Sequence, residues 1–373
     1  MIYLDSAATT MQKPPEVARA AAYAVGHMAS PGRGGHPPAM KAAETAFACR
    51  QAAAELFGVP DPERVVFTFN ATHGLNIAIR SLVSAGDRVV ISGWEHNAVT
   101  RPLHGIGAEI VTARAPLFDR AGQLAAFAEA MEGDVKAVIC THISNVFGFI
   151  LPVEEIAALC RERRIPFLLD ASQSAGCLPV RQDQLRAAFI AMPGHKGLYG
   201  PQGTGLLICG GDPKPLLEGG TGSASVLQTM PDFLPDRLEA GTHNMPGIAG
   251  LLAGLGYVRS RGTEAILRRE RSLIRSAARG LAALSGVRVF AADDPVDQAG
   301  VLSFQIAGRD CEEVGEYLGR HGIAVRAGLH CAPTAHQSAG TLETGTVRVS
   351  VSDFNTRAEI AQLVRAVAQL THA

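Results

Sequence analysis

Short apolar runs alternate with longer helix-like stretches along the first two thirds of the chain. The runs that we predict as strands are 65–69, 88–91, 137–140, 167–169, 189–191 and 205–209. Most of these runs are apolar at every position rather than at alternate positions, which is typical of strands covered on both faces. The pattern predicts an α/β fold with a mostly parallel sheet, in which ligands bind at the carboxyl ends of the strands.

The pattern changes in the last third of the chain. A connection that contains Pro and Gly leads to residue 247, and a long helical pattern rich in Arg and Ala follows over 248–279. Four later runs, 287–290, 300–304, 323–326 and 346–351, look like the strands of a smaller α+β unit. We therefore predict a large domain over 13–247 and a small C-terminal domain over 248–373, with which segment 1–12 packs.

Composition excludes several classes of protein. The chain carries 34 Lys+Arg against 35 Asp+Glu, with no basic run, so nucleic acid is a poor candidate partner. The N-terminus lacks the features of a signal peptide and no apolar stretch would span a bilayer, so we expect a cytoplasmic protein without membrane contact. Seven cysteines without a C-x-x-C pair suggest neither a disulfide framework nor a metal site.

Lys196 has the position expected of a lysine that binds an aldehyde cofactor. An apolar run leads directly to it, and a glycine-rich turn follows. Asp170 ends another strand-like run 26 residues earlier. Pyridoxal phosphate chemistry needs this pair, because the lysine holds the aldehyde and the acid keeps the pyridine nitrogen protonated. Taken alone, Lys196 would more often be a surface lysine after a strand.

Other predicted strand ends also carry polar residues. Thr72 and the backbone N–H groups around it open a helix and suit a phosphate, although Thr72 alone would more often be a helix cap. His96 could stack on a flat ring, and Asn145 and Gln173 could donate hydrogen bonds to a ring oxygen. The ordinary alternatives are a loop histidine and a turn asparagine. All these segments end successive strands of one sheet, which favours a shared site.

A second group of candidates lies near the C-terminus. Cys331 follows His330 in a loop bounded by Gly and Pro, where a thiolate near basic groups would be a nucleophile. A partly buried structural cysteine is an equal alternative, whereas we predict the other cysteines to be small core residues. Arg348 suits a carboxylate, although an arginine on a half-exposed strand is usually solvated. Arg326 could lower the pKa of Cys331 or contact substrate.

These residues together resemble class V of the pyridoxal phosphate enzymes, and within it the group II cysteine desulfurases and selenocysteine lyases. The likeness runs from Tyr3 to Thr356. The segments that carry it are Glu95-His96, Ser144-Asn145, Asp170-x-x-Gln173, Gly194-His-Lys196, Arg237-x-Glu-Ala-Gly-Thr242 and the run from Arg326 to Cys331.

The resemblance implies a fold type I, aminotransferase-like architecture with a seven-stranded, mostly parallel sheet. It also implies roles around the cofactor. Lys196 holds the cofactor covalently, Asp170 pairs with the pyridine nitrogen and His96 stacks on the ring. Asn145 and Gln173 approach the ring oxygen. Phosphate would be bound by Ala71, Thr72 and His195, and by Thr242 of the other subunit in a homodimer.

The resemblance further implies conversion of L-cysteine to L-alanine, with sulfur held on Cys331 as a persulfide until an acceptor protein takes it. Arg348 would bind the substrate carboxylate, with Arg326, His330 and Asn145 also facing the substrate. L-selenocysteine is a possible second substrate. Three alternatives stay open: a selenocysteine lyase, an aminotransferase or C–S lyase of the same class without a persulfide, and a non-catalytic protein that retains the fold.

The chain also departs from the pattern of this family. Pro193 stands where a serine is common, so the phosphate would depend more on Thr72, His195 and Thr242. Gly197 is an extra residue after the lysine. The loop 31–36 resembles an N-terminal active-site loop in which Arg33 or His36 would contact substrate, and its ordinary alternative is a flexible glycine turn.

Overall fold

The computed structural model describes residues 1–32 and 34–372. The strands are β1 (Ile2–Tyr3), β2 (Val65–Thr68), β3 (Arg88–Ser92), β4 (Glu109–Ala113), β5 (Ala137–Thr141), β6 (Phe167–Asp170), β7 (Phe189–Pro193), β8 (Gly205–Cys209), β9 (Val287–Phe290), β10 (Val301–Ile306), β11 (Ile323–Ala324), β12 (Arg326–Gly328) and β13 (Thr346–Ser350). The helices are α1 (Pro15–His27), α2 (Pro37–Phe57), α3 (Ala71–Leu82), α4 (Asn97–Ile106), α5 (Arg120–Ala130), α6 (Val153–Arg163), α7 (Gln182–Leu185), α8 (Met245–Arg261), α9 (Thr263–Ala282), α10 (Cys311–Arg320), α11 (Pro333–Ala339) and α12 (Arg357–His372). Short 3₁₀ turns occupy Pro62–Arg64 and Pro295–Asp297.

Seven strands form the main sheet in the order β2-β8-β7-β6-β5-β3-β4. Only β8 runs against the other strands, because it is antiparallel to both β7 and β2. The predicted α/β class and the mostly parallel seven-stranded sheet are therefore confirmed. Strand β4 is not predicted from the sequence pattern, because it lies at the edge of the sheet, is only partly buried and lacks a continuous apolar run.

The common strand direction brings the candidate residues of the large sheet to one edge. Strands β3, β5, β6 and β7 are parallel neighbours, so the loops after them open at the same side of the sheet. Their buried positions are almost all apolar, which anchors each strand end between two layers of helices. This edge is where an open α/β sheet binds its ligands.

The small domain contains an antiparallel sheet in the order β12-β13-β10-β9. Its core combines this sheet with α9, α10 and α12, and it includes Leu4 from the N-terminal segment. The predicted strand 323–326 is wrong as a single element, because β11 pairs with β1 whereas β12 pairs with β13. The pairing of β1 with β11 supports the prediction that segment 1–12 packs with this domain.

The predicted single helix over 248–279 is wrong, because it is two helices that meet at Gly262. Gly262 has φ of 81°, a conformation that residues with a side chain rarely adopt. Helix α8 contributes Ile248, Leu251 and Leu255 to the core of the main sheet. We therefore propose that the boundary between the two domains lies near Gly262 rather than at residue 248. No helix within 1–32 and 34–372 is both long and apolar enough to cross a bilayer.

Candidate active site

A cavity opens at the carboxyl edge of the main sheet. It is lined by eight of the nine predicted cofactor residues: Ala71, Thr72, His96, Asn145, Asp170, Gln173, His195 and Lys196. The ninth, Thr242, lies outside this cavity and is exposed before α8. His36 is exposed at the start of α2, outside the cavity, and Arg33 lies outside the described residues. The structure thus gathers residues that are far apart in sequence into one site.

Lys196 and Asp170 follow adjacent parallel strands. Asp170 is the last residue of β6 and only 2% exposed, whereas Lys196 is half-buried in the turn after β7. The pKa of Lys196 is lowered to about 8, mainly by burial; Asp170 opposes this shift, while the positive charges of Arg348 and Arg326 add to it. The amine therefore reaches its neutral, nucleophilic form at a pH far below that of a solvated lysine.

The turn that carries Lys196 depends on close contact between two glycines. A side chain at Gly197 would collide with the carbonyl oxygen of Ala175, and one at Gly176 would collide with the carbonyl of Gly197. The carbonyl of Lys196 accepts a hydrogen bond from Tyr199 N–H at 2.9 Å. This turn is thus possible because Gly197 is a glycine packed directly against another glycine.

His96 is held as a neutral ring at the start of α4. Its Nδ1 accepts a hydrogen bond from Ala98 N–H at 3.0 Å, so the ring proton resides on Nε2. Burial is the main cause that lowers the pKa of His96 to about 4, with Lys196 adding to it and Asp170 opposing it. A neutral, flat imidazole at the wall of the cavity suits stacking on an aromatic ring.

The start of α3 differs from the capping that the sequence suggested. Asn70 caps this helix, because its Oδ1 accepts a hydrogen bond from His73 N–H at 2.9 Å, so the alternative of a capping Thr72 is wrong. Among the described residues, the N–H groups of Ala71 and Thr72 have no hydrogen-bond acceptor. Free N–H groups and the helix dipole make this end of the cavity favourable for an anion. Pro193 adds no donor there.

His195, Asn145 and Gln173 make contacts inside the protein as well as lining the cavity. Nδ1 of His195 lies 3.0 Å from the Thr9 hydroxyl, and burial lowers the pKa of this histidine to about 4. Gln173 donates to the carbonyl of Ala7 at 3.0 Å. Two of these three side chains therefore tie the N-terminal segment to the main sheet.

Arg348 is buried on β13, so the alternative of a solvated arginine is wrong. It is 2% exposed and donates to Asp5 Oδ1 at 2.6 Å and to the carbonyl of Asn145 at 2.9 Å. Its Nε is buried with no partner among the described residues. A buried donor without an acceptor costs about 1–3 kcal/mol, which an incoming carboxylate would recover. Arg326 faces Arg348 across the β12–β13 pair and is exposed.

Cys331 is the single exposed cysteine of the seven, so the alternative of a partly buried structural cysteine is wrong. His330 and Cys331 have φ of 50° and 57°, a left-handed conformation that costs about 1–3 kcal/mol per residue. Two hydrogen bonds from the segments that follow β3 and β5 hold this turn. Asn97 N–H donates to the carbonyl of Cys331 and Asn145 Nδ2 to that of His330, both at 2.8 Å.

Two buried histidines, His330 and His336, pack at this turn. His330 Nε2 donates to the carbonyl of Thr346 at 3.1 Å, which leaves Nδ1 as an acceptor with no partner among the described residues. His336 lies with its ring centre 5.7 Å away and also has a buried nitrogen, Nε2, without a described partner. Burial is the main cause that lowers the pKa of His330 to about 2 and that of His336 to about 4.

His336 and Glu95 are the functional candidates that sequence reasoning missed or left without a role. Nothing in the order of residues distinguishes His336 from a helix-surface histidine. In the sequence, Glu95 is distinguished only by its place beside His96. Its Oε1 accepts hydrogen bonds from the Ser92 hydroxyl at 2.5 Å and from Thr141 N–H at 2.8 Å. Glu95 therefore joins the ends of β3 and β5, and burial raises its pKa to about 8.

Comparison with known proteins gives a consistent family. Residues 2–363 match the family described as Aminotransferase class-V. A probable cysteine desulfurase of Methanothermobacter thermautotrophicus is 32% identical over 374 residues, which cover 97% of this chain and 92% of that protein. The cysteine desulfurase of Salmonella agona is 32% identical over 388 residues, which cover 99% and 93%. The chain belongs to the cysteine desulfurases of the class V aminotransferase family.

Solved structures of cysteine desulfurases share the whole fold. The apo structure of the enzyme from Thermococcus onnurineus NA1 superposes with a TM-score of 0.91 at 30% identity, and covers 100% of this chain and 94% of that one. The cysteine desulfurase CsdA of Escherichia coli, in an S-sulfonic acid form, gives a TM-score of 0.86 at 28% identity and covers 99% and 94%. The resemblance stated from the motifs and the fold type I architecture are confirmed.

Class V enzymes use pyridoxal 5'-phosphate, which confirms the predicted cofactor. The cavity fits this group on its own geometry. An amine and a buried carboxylate follow neighbouring strands, a neutral imidazole lines the wall, and the start of α3 presents N–H groups without acceptors. These are the partners that an aldehyde, a pyridine nitrogen, an aromatic ring and a phosphate require.

Proposed function

We propose that this protein converts L-cysteine into L-alanine and receives the sulfur on Cys331 as a persulfide. The observation that carries the proposal is the exposed Cys331 on a strained turn whose backbone is bonded to Asn97 and Asn145. Asn145 lines the cavity of Lys196, and Asn97 directly follows His96. A nucleophilic thiol is thereby held beside the cofactor cavity while remaining open to solvent.

The cofactor residues have separate tasks in this proposal. When bound, pyridoxal phosphate supplies an electron sink for charge that develops on the substrate carbons. Lys196 holds the aldehyde and moves the proton at the substrate Cα, and Asp170 keeps a proton on the pyridine nitrogen. His96 packs on the ring, while Asn145 and Gln173 lie toward the ring oxygen.

The phosphate is bound at the start of α3 by Ala71, Thr72 and His195. Thr242 is exposed in one copy of the chain, which is consistent with its reaching the phosphate of a second copy. Exposed apolar side chains in the preceding segment support a homodimer, because Val226 is 92% and Phe233 is 52% exposed.

The substrate carboxylate is bound by Arg348. The arginine is already buried and oriented by Asp5, and its Nε has no described partner, so a carboxylate can be bound without new ordering of the side chain. Arg326 contributes positive charge from the neighbouring strand, and His330 borders the same turn as Cys331. Discrimination for α-amino acids would then reside largely in this arginine.

Sulfur transfer follows as a balanced step. The thiolate of Cys331 attacks the substrate sulfur, an S–S bond forms and the substrate C–S bond breaks. The electron pair of the broken bond goes to the substrate Cβ, which then takes up a proton to become the methyl group of alanine. The persulfide on the exposed Cys331 is accessible to an acceptor protein, and the same site would accept L-selenocysteine.

The cysteine content supports a cytoplasmic location. All seven cysteines are free thiols, and six are buried. Free thiols without any disulfide are typical of a reducing compartment.

The test is incubation of the cofactor-loaded protein with L-cysteine, followed by analysis of products and of the Cys331 peptide by mass spectrometry. We expect alanine, sulfide on addition of a reductant, and a Cys331 peptide heavier by one sulfur atom. A Cys177→Ser variant, altered at a buried cysteine, should behave like the unmodified protein. Pyruvate with ammonia, or a keto acid, would instead indicate a lyase or an aminotransferase.

A further inference from the structure

A second cavity lies behind Lys196, on the side away from the start of α3. Ile143, Gln173 and Lys196 line both cavities, so the lysine borders the rear cavity as well as the cofactor cavity. The rear cavity has a volume of about 40 Å³. Because one water needs roughly 10–15 Å³, the rear cavity has room for about two or three waters. Its wall includes Thr10, Glu270 and other polar groups, which favours occupation by water.

Glu270 is the acidic group of this rear cavity. It lies on α9 and is 8% exposed, and neither carboxyl oxygen has a hydrogen-bond partner among residues 1–32 and 34–372. Oε2 packs so closely on Gly300 that a Cβ there would lie 2.7 Å from it. A buried carboxyl that lacks protein partners requires water, and the cavity that it lines can supply that water.

The groups around Glu270 favour its neutral form. Cys177, Tyr199 and Asp353 face it from three other elements, and Arg271 on its own helix instead donates to the carbonyls of Val296 and Gln298. Burial and, secondly, the charge of Asp353 raise the pKa of Glu270 to about 8.

The carboxylate of Asp353 is hydrogen-bonded to residues other than Glu270. Arg261 Nε donates to it at 2.7 Å and the hydroxyl of Tyr257 donates at 2.6 Å. No described cation pairs with Glu270. Below about pH 8 the Glu270 carboxyl carries a transferable proton. Burial also lowers the pKa of Lys196, so a neutral amine that can accept this proton is present closer to neutral pH than for a solvated lysine.

We propose that Glu270 exchanges a proton with Lys196 through water in the rear cavity, and thereby restores the protonation state of the lysine between steps. In this exchange the carboxylic acid gives its proton to the neutral amine, which leaves a carboxylate and an ammonium, and the reverse transfer restores both. The inference rests on the proposed function, because that reaction takes a proton from the substrate Cα and delivers one to Cβ. A route behind Lys196 moves protons without crossing the bound substrate.

The test measures exchange of the Cα hydrogen of L-alanine with solvent deuterium by NMR, using the cofactor-loaded protein. This exchange needs Lys196 but neither Cys331 nor sulfur. Glu270→Gln retains the shape of the side chain and removes its proton. We expect the exchange rate to fall roughly tenfold or more, since acid–base groups contribute on this scale or above. Cys160→Ala, which removes a buried thiol that lines neither cavity, should exchange within about twofold of the unmodified protein.

A second measurement does not depend on activity. Infrared spectra of the cofactor-free protein at about pH 6 and about pH 10 should show a carboxylic acid band that disappears on deprotonation. Glu270→Gln should lack the part of the band that belongs to Glu270. Glu95→Gln, which removes another buried carboxyl with a raised pKa, should retain that part. Absence of any change in Glu270→Gln would overturn the proposal.

The outcomes separate the two proposals. Unchanged alanine exchange in Glu270→Gln overturns the role of Glu270 and leaves the proposed function intact. A second outcome is normal alanine exchange in the unmodified protein but no alanine formation from L-cysteine. This result overturns the proposed function, whereas slow exchange in Glu270→Gln would still support the role of Glu270. Absence of exchange in the unmodified protein contradicts the role of Lys196, and therefore both proposals.

Discussion

The two sides of the active site are built differently. The cofactor side, which we define as Ala71, Thr72, His96, Asp170 and Lys196, lies at the ends of strands and starts of helices of one rigid sheet. The sulfur side consists of His330, Cys331, His336 and Arg348, and it lies in the small domain on a strained turn, the helix α11 that follows it, and strand β13. The cofactor side is thus fixed by its own sheet, whereas the sulfur side is positioned by contacts from the other domain.

This difference indicates how binding and delivery can share one site. The cofactor must remain in place through many turnovers, and rigid strand ends provide that. The sulfur carrier must reach both the cavity and an acceptor, and a short turn held by two hydrogen bonds to its carbonyl groups leaves Cys331 exposed. Changes on the cofactor side should therefore affect all reactions, while changes at Cys331 and at the two histidines beside it should reduce only sulfur transfer.

The largest effect is expected for Lys196→Ala. The variant should fold, because Lys196 lies in a turn outside the hydrophobic core, but it should lack the absorbance band of covalently bound cofactor. We expect both L-cysteine turnover and Cα exchange of L-alanine to fall at least about 1,000-fold, since no other amine among residues 1–32 and 34–372 lines the cavity. Retention of both the band and turnover would exclude Lys196 from its role. Visible spectroscopy and product analysis together decide this.

The second prediction concerns the pairing of Arg348 with the substrate. Arg348→Gln should raise the KM for L-cysteine about 30-fold or more, because loss of a buried charged partner costs about 2–5 kcal/mol. The absorbance of the bound cofactor should remain. Arg348→Lys should be intermediate, since a lysine keeps the charge but loses the fork geometry. Steady-state kinetics measure this, and an unchanged KM in Arg348→Gln would contradict a carboxylate site at this residue.

The smallest effect is expected for His336, which lies beside His330 and on the helix that follows Cys331. His336→Gln should slow formation of the Cys331 persulfide roughly three- to tenfold, because a less well supported turn misplaces the thiol. Cα exchange of L-alanine should not change, since it does not use the turn. Rapid-quench analysis of the Cys331 peptide measures the first rate and NMR the second. Equal losses in both would indicate general destabilisation instead.

The cofactor side could be predicted from sequence because its signals are local. A buried apolar strand followed directly by Asp170 or by the turn of Lys196 places the polar residue at a known edge of the sheet. The family resemblance then supplied the pairing of residues from different strands. Even here the capping of α3 by Asn70 was not foreseen, because Asn70 and Thr72 are both good capping residues and only the backbone conformation decides between them.

The sulfur side and the rear cavity were harder to predict because they depend on contacts between distant segments. The ion pair of Arg348 with Asp5 joins residues 343 positions apart, and it is this contact that keeps the arginine buried. Glu270 lies in a helix rich in arginine and resembles a partner for surface ion pairs. Its burial against Gly300 is visible only when α9 has packed on β10.

The central claim is that sulfur passes from L-cysteine to Cys331, and a single turnover without acceptor or reductant tests it most directly. Rapid mixing of the cofactor-loaded protein with L-cysteine should produce alanine and a persulfide on the Cys331 peptide in equal amounts and at the same rate. Turnover should then stop, since an occupied Cys331 cannot attack again. Cys331→Ser should keep the cofactor spectrum and form no alanine from L-cysteine. Alanine formation by that variant at the unmodified rate would contradict the account.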